Sequence, residues 1–430
     1  MELDRSQQPP CRSIEEINIV SPKIKIMPNG MELHILDMGE QEVVRIDMMF
    51  ATGKWHQPKL LVAMFTNLML KEGVEGMTSQ EVAEQLDFYG AWLQPSATFH
   101  NSYVTLYSLN KHIDHTLTLL EKIVKHPTFP DEEFQVIRSR RKQHFIIEDE
   151  KVDVKAFNKY ISLLFGEDCP YGQHAVVDNF DNVERDDLEA FHKQCYNSSN
   201  CRIFLTGKVT PEILLAIEKA FGTTAWGDNS HVQIEKPFES KPQAFGKYFV
   251  EKDDALQSGI RIGMSVVGRE HTDYPKLRIL NTLLGGYFGS RLMTNIREDK
   301  GYTYGIGSNI TTLKYASYMN ISTEVATEYT EPTITEVKYE LERLKSELVE
   351  QNEMDTLKGY LMGEMARLFD GLFSIADAHL SLLANDMDVE YYHSMIAAIK
   401  SVTAEELQSL AIKYIDVEKL YIVTAGQKIE

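Results

Sequence analysis

Cysteine is scarce in this chain. There are four, Cys11, Cys169, Cys195 and Cys201, and none form a CxxC pair. Four cysteines in a chain this long make no disulfide framework, so free thiols in a reducing compartment are expected. Long apolar runs are missing too, since no stretch approaches the roughly 20 residues of a membrane span. The start, MELDRSQQPPCRSIEEINIV, has no basic segment followed by an apolar one. A cytoplasmic location without membrane attachment is therefore expected. Positive charge is in deficit: 44 Lys and Arg stand against 64 Asp and Glu, a net charge of -20. Such a surface repels nucleic acid and anionic lipid.

What is present is ordinary globular material, 43% hydrophobic and 25% charged. At 430 residues the chain is too long for one core, so at least two domains are expected. An internal repeat gives their arrangement. Val183–Gly207, VERDDLEAFHKQCYNSSNCRIFLTG, aligns without gaps on Val402–Gly426, VTAEELQSLAIKYIDVEKLYIVTAG. Each copy reads as an acidic-started amphipathic helix and then a short strand ending in Gly. Ser79–Gly90 matches Ser290–Gly301 at nearly the same offset. Two collinear pairs point to a duplicated domain. The expected division is 17–220, a linker at 221–245 rich in Gly, Pro, Ser and charge, and 246–430.

Within each half the pattern is strands first, then helices. Lys23–Met27, Glu32–Met38 and Val43–Phe50 are expected strands, and Leu60–Leu70 and Ser79–Tyr89 helices. Trp92–Leu109 alternates like one long strand, Asp114–Val124 is a helix, and Glu132–Phe165 is one long charged helical stretch. In the second half, Gly246–Val250 and Gly259–Val267 are strands, Tyr274–Leu284 and Ser290–Asp299 helices. Tyr304–Val325 is a hairpin, and helices fill Thr335–Leu382. The expected class is α+β: two homologous domains, each a mostly antiparallel sheet with helices on one face, facing each other as a clamshell.

The most specific string is LLGGYFGSRLMTNIREDKGYTYGIGS, Leu283–Ser308, preceded by ALQSGIRIG and REHTDYPKLRILNTLLGG. It resembles the C-terminal domain of the insulinase/pitrilysin-type zinc peptidases, whose pattern is a Gly-rich turn, SRL, an Arg and GxxY. The resemblance runs from about Ile17 to Gly426 and implies two homologous α+β domains. It also implies a catalytic motif HxxEH on the first long helix: two His one turn apart bind zinc, the Glu between them is general base, and a later Glu completes an open three-ligand site. Here Ala63 and Asn67 stand at the His positions and Thr66 at the general base, and the distal position falls at or near His144. No ligand of the family's type remains. Nor do His100, His112 and His115 offer a substitute, because His112 and His115 begin a helix with no third ligand at suitable spacing. The expectation is no metal in this chain, with zinc supplied by a partner.

A second departure lies in GAWLQPSATFHNSYV. Gln94 and Pro95 replace the Asn-Ala pair that holds substrate backbone in active members, and proline has no N–H to pair. The second half keeps the family's spacing of Arg and Tyr, as Arg297 and Tyr304. The resemblance makes them a substrate clamp, the Arg gripping a carbonyl or carboxylate and the Tyr donating to an oxyanion. Read without it, Arg297 ends a helix near the negative pole of its dipole and Tyr304 is a strand aromatic. Gly285, Gly286 and Gly289 lack the Lys-Ser/Thr of a phosphate loop. They resemble the Gly-rich loop of non-catalytic partners such as the α subunit of mitochondrial processing peptidase, or form a flexible helix–helix turn.

The function implied is a non-catalytic, substrate-binding or regulatory subunit of a two-component zinc metallopeptidase. A homologous HxxEH-containing partner would supply zinc and water activation, and peptides would lie in extended form along a sheet edge of the second domain. The alternatives are a structural scaffold, as in the core proteins of the respiratory cytochrome bc complex, and an autonomous peptidase with an unrecognised site.

Overall fold

The computed structural model describes residues 14–229 and 239–428. Cys11 and the centre of the expected linker lie outside them. The first half runs β1 (Lys23–Ile26), β2 (Glu32–Asp37), β3 (Val43–Phe50), α1 (Val62–Met69), the short pair β4 (Gly73–Val74) and β5 (Met77–Thr78), then α2 (Ser79–Phe88). It continues with β6 (Trp92–Ala97), β7 (Ser102–Leu109), α3 (Ile113–Lys125), α4 (Asp131–Asp149) and α5 (Val152–Phe165). Helices α6 (Val177–Asn182) and α7 (Arg185–Cys195), strand β8 (Cys201–Gly207) and helix α8 (Pro211–Ile217) complete it. The second half runs β9 (Gly246–Glu251), β10 (Gln257–Val266), α9 (Tyr274–Asn281), β11 (Ile306–Thr312) and β12 (Ser317–Ala326). Then come α10 (Thr330–Ser346), α11 (Gln351–Leu368), α12 (Leu372–Leu383), α13 (Glu390–Ser401), α14 (Ala404–Tyr414) and β13 (Tyr421–Gly426).

The duplication is visible in the sheets. The first has the order β1-β2-β8-β3-β7-β6 and the second β11-β12-β10-β13-β9. Superposed by pairing, β9 stands for β2, β13 for β8, β10 for β3, β12 for β7 and β11 for β6. In each sheet the strand closing the sequence repeat is parallel to one neighbour and antiparallel to the other: β8 to β2 and β3, β13 to β9 and β10. The second repeat pair also lands on equivalent elements. Helix α2 stops at Gly90 and the helical turns through Met293–Asp299 stop at Gly301, with φ of 60° and 69°. A left-handed residue just past a helix end favours glycine, which has no Cβ to clash. Capping boxes start α2 (Thr78 with Glu81) and α14 (Thr403 with Glu406).

Each sheet carries its own helices on one face. On the other face it receives one helix from the opposite half. Helix α5 crosses onto β10 and β13, and α12 onto β8. The two crossings are built differently. Under α5, Gly259 and Gly263 leave no room for a side chain. A Cβ at Gly263 would lie 1.9 Å from the Met319 carbonyl oxygen and 2.3 Å from the Tyr160 hydroxyl. Tyr160 is fully buried there and donates to the Met319 carbonyl at 2.6 Å. Their counterparts under α12 are Arg45 and Met49, at the equivalent register of β3. Arg45 is ion-paired with Asp47 at 2.8 Å and with Asp377 of α12 at 2.7 Å, over a small cluster of Leu36, Phe204, Ile375, Ala376 and Leu380.

Two elements differ from expectation. Trp92–Leu109 is a hairpin, β6 and β7, reversed where Thr98 N–H donates to the Asn101 carbonyl at 2.8 Å. Glu132–Phe165 is two helices broken at Glu150–Lys151, which lets α5 swing onto the other sheet. Helix α13 fills part of the second half that the sequence pattern left unassigned.

Candidate functional site

The positions of the degenerate motif lie on α1. Ala63 and Thr66 are fully buried and Asn67 nearly so. The helix starts without a side-chain cap on Leu61, and Gln57 Oε1 instead accepts the Ala63 N–H at 3.3 Å. Asn67 Nδ2 donates to the Tyr196 hydroxyl at 3.1 Å and to the Tyr103 carbonyl at 3.3 Å. Tyr196 stacks on His192, whose ring nitrogen meets the Val124 carbonyl at 2.8 Å. Burial pushes His192 down to about 4 and the Tyr196 hydroxyl up to about 12. The Asn at the second ligand position is thus part of the core's hydrogen bonding, tying α1 to β7 and α7.

His144 does not join these residues. It is exposed on α4, beside Glu148. Phe145 next to it contacts the Phe180 ring instead, and Phe180 also meets Phe65 of α1. The contact between α1 and α4 is aromatic, completed by Phe134 against Phe65. The residue types at these four positions do not fit a zinc site: an alanine, a buried threonine, a hydrogen-bonded amide and a solvent-facing imidazole. Among the described residues no three His, Cys, Asp or Glu side chains converge as metal ligands. His112 and His115 instead flank the Tyr89 ring, His115 stacked on it at 4.8 Å.

The structure brings the other set of residues together. Arg297, in the last turn of the 293–299 helix, donates from Nε to the Tyr304 carbonyl at 3.0 Å. Its guanidinium lies 4.7 Å from the Phe288 ring centroid, so the Gly-rich loop and the Arg–Tyr pair form one patch. Tyr304 is not in a strand. It precedes β11, is 95% exposed, and its hydroxyl has no hydrogen-bond partner among the described residues. Thr303 holds the segment in place: its hydroxyl donates to the Glu324 carbonyl at 2.8 Å and accepts the Gly305 N–H at 3.1 Å. No pattern in the sequence singles out Thr303, since its partner lies in the next strand.

The Gly-rich loop is docked. A Cβ at Gly285 would lie 2.6 Å from the Ser308 backbone nitrogen, and Asn281 bonds Ser308 from the adjoining turn. Gly286 and Gly289 face Thr282 and the Tyr287 ring. Tyr287 stacks on Tyr360, which leaves Phe288 62% exposed beneath Arg297. The adjacent β11 is an edge strand, as is β6 with Gln94 and Pro95, and at the β11 edge Asn281 Nδ2 already donates to the Ser308 carbonyl at 3.0 Å and the Ile306 N–H meets Met293 Sδ at 3.5 Å.

Comparison with known proteins places the chain among relatives of this fold. Residues 182–361 match the family model described as the Peptidase M16 inactive domain. "Uncharacterized zinc protease YmxG" of Bacillus subtilis is 21% identical over 78% of this chain and 82% of its own length. "Probable inactive metalloprotease YmfF" of the same organism is 22% identical over 73% and 70%. A crystal structure of a peptidase M16 inactive domain from Pseudomonas fluorescens superposes with a TM-score of 0.84 at 23% identity. It covers 95% of this chain and 99% of its own. No helix among the described residues is long and apolar enough to cross a membrane.

Proposed function

We propose, from the premise that this chain belongs to the M16 peptidase family and carries its inactive domain, that it is the non-catalytic, substrate-binding subunit of a two-component zinc peptidase. The observation that carries this reading is the contrast between the two halves. Motif positions on α1 are absorbed into the core, whereas Tyr304 is held out in solvent on a pinned backbone with an arginine fixed beside it. A large aromatic kept 95% exposed with no partner costs apolar surface and contributes nothing visible to the fold.

In this reading a homologous HxxEH chain binds zinc and activates water. Tyr304 donates to the oxyanion that develops on the substrate carbonyl. Arg297 has one donor committed to the Tyr304 carbonyl, and its remaining N–H groups hold a substrate carbonyl or carboxylate. Peptide lies extended along the edge of β11 beyond Ser308, the part not engaged by Asn281 and Met293, by strand addition. The equivalent edge strand β6 has Pro95 in its ladder, which removes one donor. The described cysteines, Cys169, Cys195 and Cys201, are buried and no disulfide joins them to one another, which supports a reducing cytoplasmic setting.

The test is to express the chain with an HxxEH homologue from the same genome. Co-elution of the pair, with peptide cleavage that neither chain gives alone, is the expected result. Cleavage by this chain alone, dependent on zinc, would overturn it.

A further inference from the structure

A cavity of about 340 Å³ lies where the two halves meet. Leu60, Leu61 and Met64 at the start of α1 form one wall, Phe157, Ile161 and Phe165 of α5 another, and Leu313 at the turn between β11 and β12 a third. Its size is within the roughly 300–1,000 Å³ of small-molecule sites, and its lining is mostly apolar and aromatic, as theirs is. Many of these side chains, Leu61, Met64, Phe99, Phe157 and Leu313 among them, are only partly buried, so they face open space rather than one another.

The electrostatics of the cavity are exceptional for this molecule. The chain has 64 acidic residues, yet among the described residues no carboxylate lines the cavity. Among the described residues its one permanently charged side chain is Lys54. The Lys54 ammonium lies 5.6 Å from the centroid of Phe99, which is part of the wall, and it makes no ion pair among the described residues. Asp168 and Glu239 line an adjoining hollow that Lys54 also borders, but their ion-pair partner is Lys241, at 3.5 and 3.9 Å, and neither is ion-paired with Lys54. Although Lys54 as a residue is exposed, crowding around its ammonium lowers its pKa, as expected of a cation without a counter-charge. The backbone adds a third observation. Leu61 has φ of 75°, a left-handed conformation unfavourable for leucine, and it lies in this wall.

We propose that this cavity binds an apolar monocarboxylate, its hydrocarbon part between α1 and α5 and its carboxylate on Lys54. An aliphatic body fills the apolar walls, and a carboxylate supplies the charge that Lys54 lacks. Cationic ligands are disfavoured by Lys54, and dianions find no second cation among the described lining residues. The same chemistry is offered by a free fatty carboxylate and by an apolar residue at a peptide C-terminus. Because walls come from both halves, an occupant would also hold the halves together. The proposal does not depend on the partner-subunit reading.

Calorimetric titration of the whole chain tests it, with octanoate, octanol and octylamine as probes, beside a short peptide ending in leucine with a free or amidated C-terminus. Octanoate, the free-acid peptide, or both are expected to bind at least about tenfold more tightly than the matching alcohol or amide. Binding of octanoate alone identifies a lipid-derived carboxylate, and binding of the peptide alone a C-terminal residue. Lys54→Met keeps the aliphatic stem and should remove that preference while leaving octanol unchanged. Leu313→Trp, at a partly exposed turn, should fill the cavity and weaken every probe about tenfold or more. Circular dichroism checks both variants, and Lys54→Gln replaces Lys54→Met should that variant not fold. Failure of both octanoate and the peptide to bind at millimolar concentration, a bound acid no tighter than its matching alcohol or amide, or binding unchanged in the Lys54 variant would each overturn the proposal.

Discussion

The Thr66 hydroxyl is fully buried on α1 and has no hydrogen-bond partner among the described residues. A buried hydroxyl without a partner carries a desolvation cost that a methyl of the same shape does not. Thr66→Val should therefore stabilise the protein by about 1 kcal/mol, read as a higher urea midpoint at unchanged slope. Substitution at a working general base would not behave this way. His192 gives a pH signature in the same region. Its folded pKa, about 4, lies below the ordinary 6.5, because burial disfavours the imidazolium. The fold binds the neutral ring, so this contribution is present above pH 6.5 and is lost as pH falls from 6.5 towards 4. The loss is roughly 3 kcal/mol at 1.36 kcal/mol per unit. Urea midpoints measured between pH 7 and 4 should fall less steeply in His192→Gln than in the parent chain. Parallel slopes would show that the imidazole titrates normally. At this scale the sequence was readable only in part. Ala63, Thr66 and Asn67 are visibly not zinc ligands. That Asn67 bonds Tyr196 was hidden, because the two are 129 positions apart. Arg297 over Phe288 was hidden too, because both are common at helix ends and turns.

At the scale of elements the two crossing helices make different predictions. Any side chain at Gly263 collides with the Met319 carbonyl, which is backbone, and with the Tyr160 hydroxyl, which is held by burial and its hydrogen bond to that carbonyl. Gly263→Val should cost at least the 1–3 kcal/mol typical of overpacking. Asp377→Ala removes an ion pair whose acidic partner is 65% exposed, while Arg45 keeps Asp47. Its cost should stay within about 1 kcal/mol. Hydrogen exchange should show α12 less protected than α5, since its apolar cluster is the smaller. Equal protection would contradict the asymmetry. The duplicated helix–strand unit was legible because both copies keep acidic starts, apolar spacing and a terminal Gly. The hairpin at 98–101 was not, because Thr98, Phe99, His100 and Asn101 contain neither Gly nor Pro and the alternation runs through them. The break at Glu150–Lys151 was masked by continuous charge. The exchange of α5 and α12 leaves no local trace, apart from the GIRIG glycines, which mark close approach without naming the partner.

In the whole molecule the first half buries its motif positions in the core, whereas the second half leaves Tyr304 in solvent. The fold class and two-part organisation followed from repeat and strand order, whereas the joining of both halves by exchanged helices came only from the structure. The central claim is that Tyr304 and Arg297 act on a zinc site supplied by a partner chain. The direct measurement is peptide turnover by complexes assembled from an HxxEH partner and either the parent chain, Tyr304→Phe or Arg297→Ala, with assembly checked by gel filtration. Tyr304 is exposed and its hydroxyl has no partner among the described residues, so Tyr304→Phe should fold and assemble normally. The loss of an oxyanion donor should lower kcat about 100-fold, the lower end for such donors because zinc shares the charge. Arg297→Ala should raise KM as well, with stability changed by about 0.5 kcal/mol. Normal assembly with turnover at the parent rate in both variants would contradict the clamp and leave the chain a scaffold.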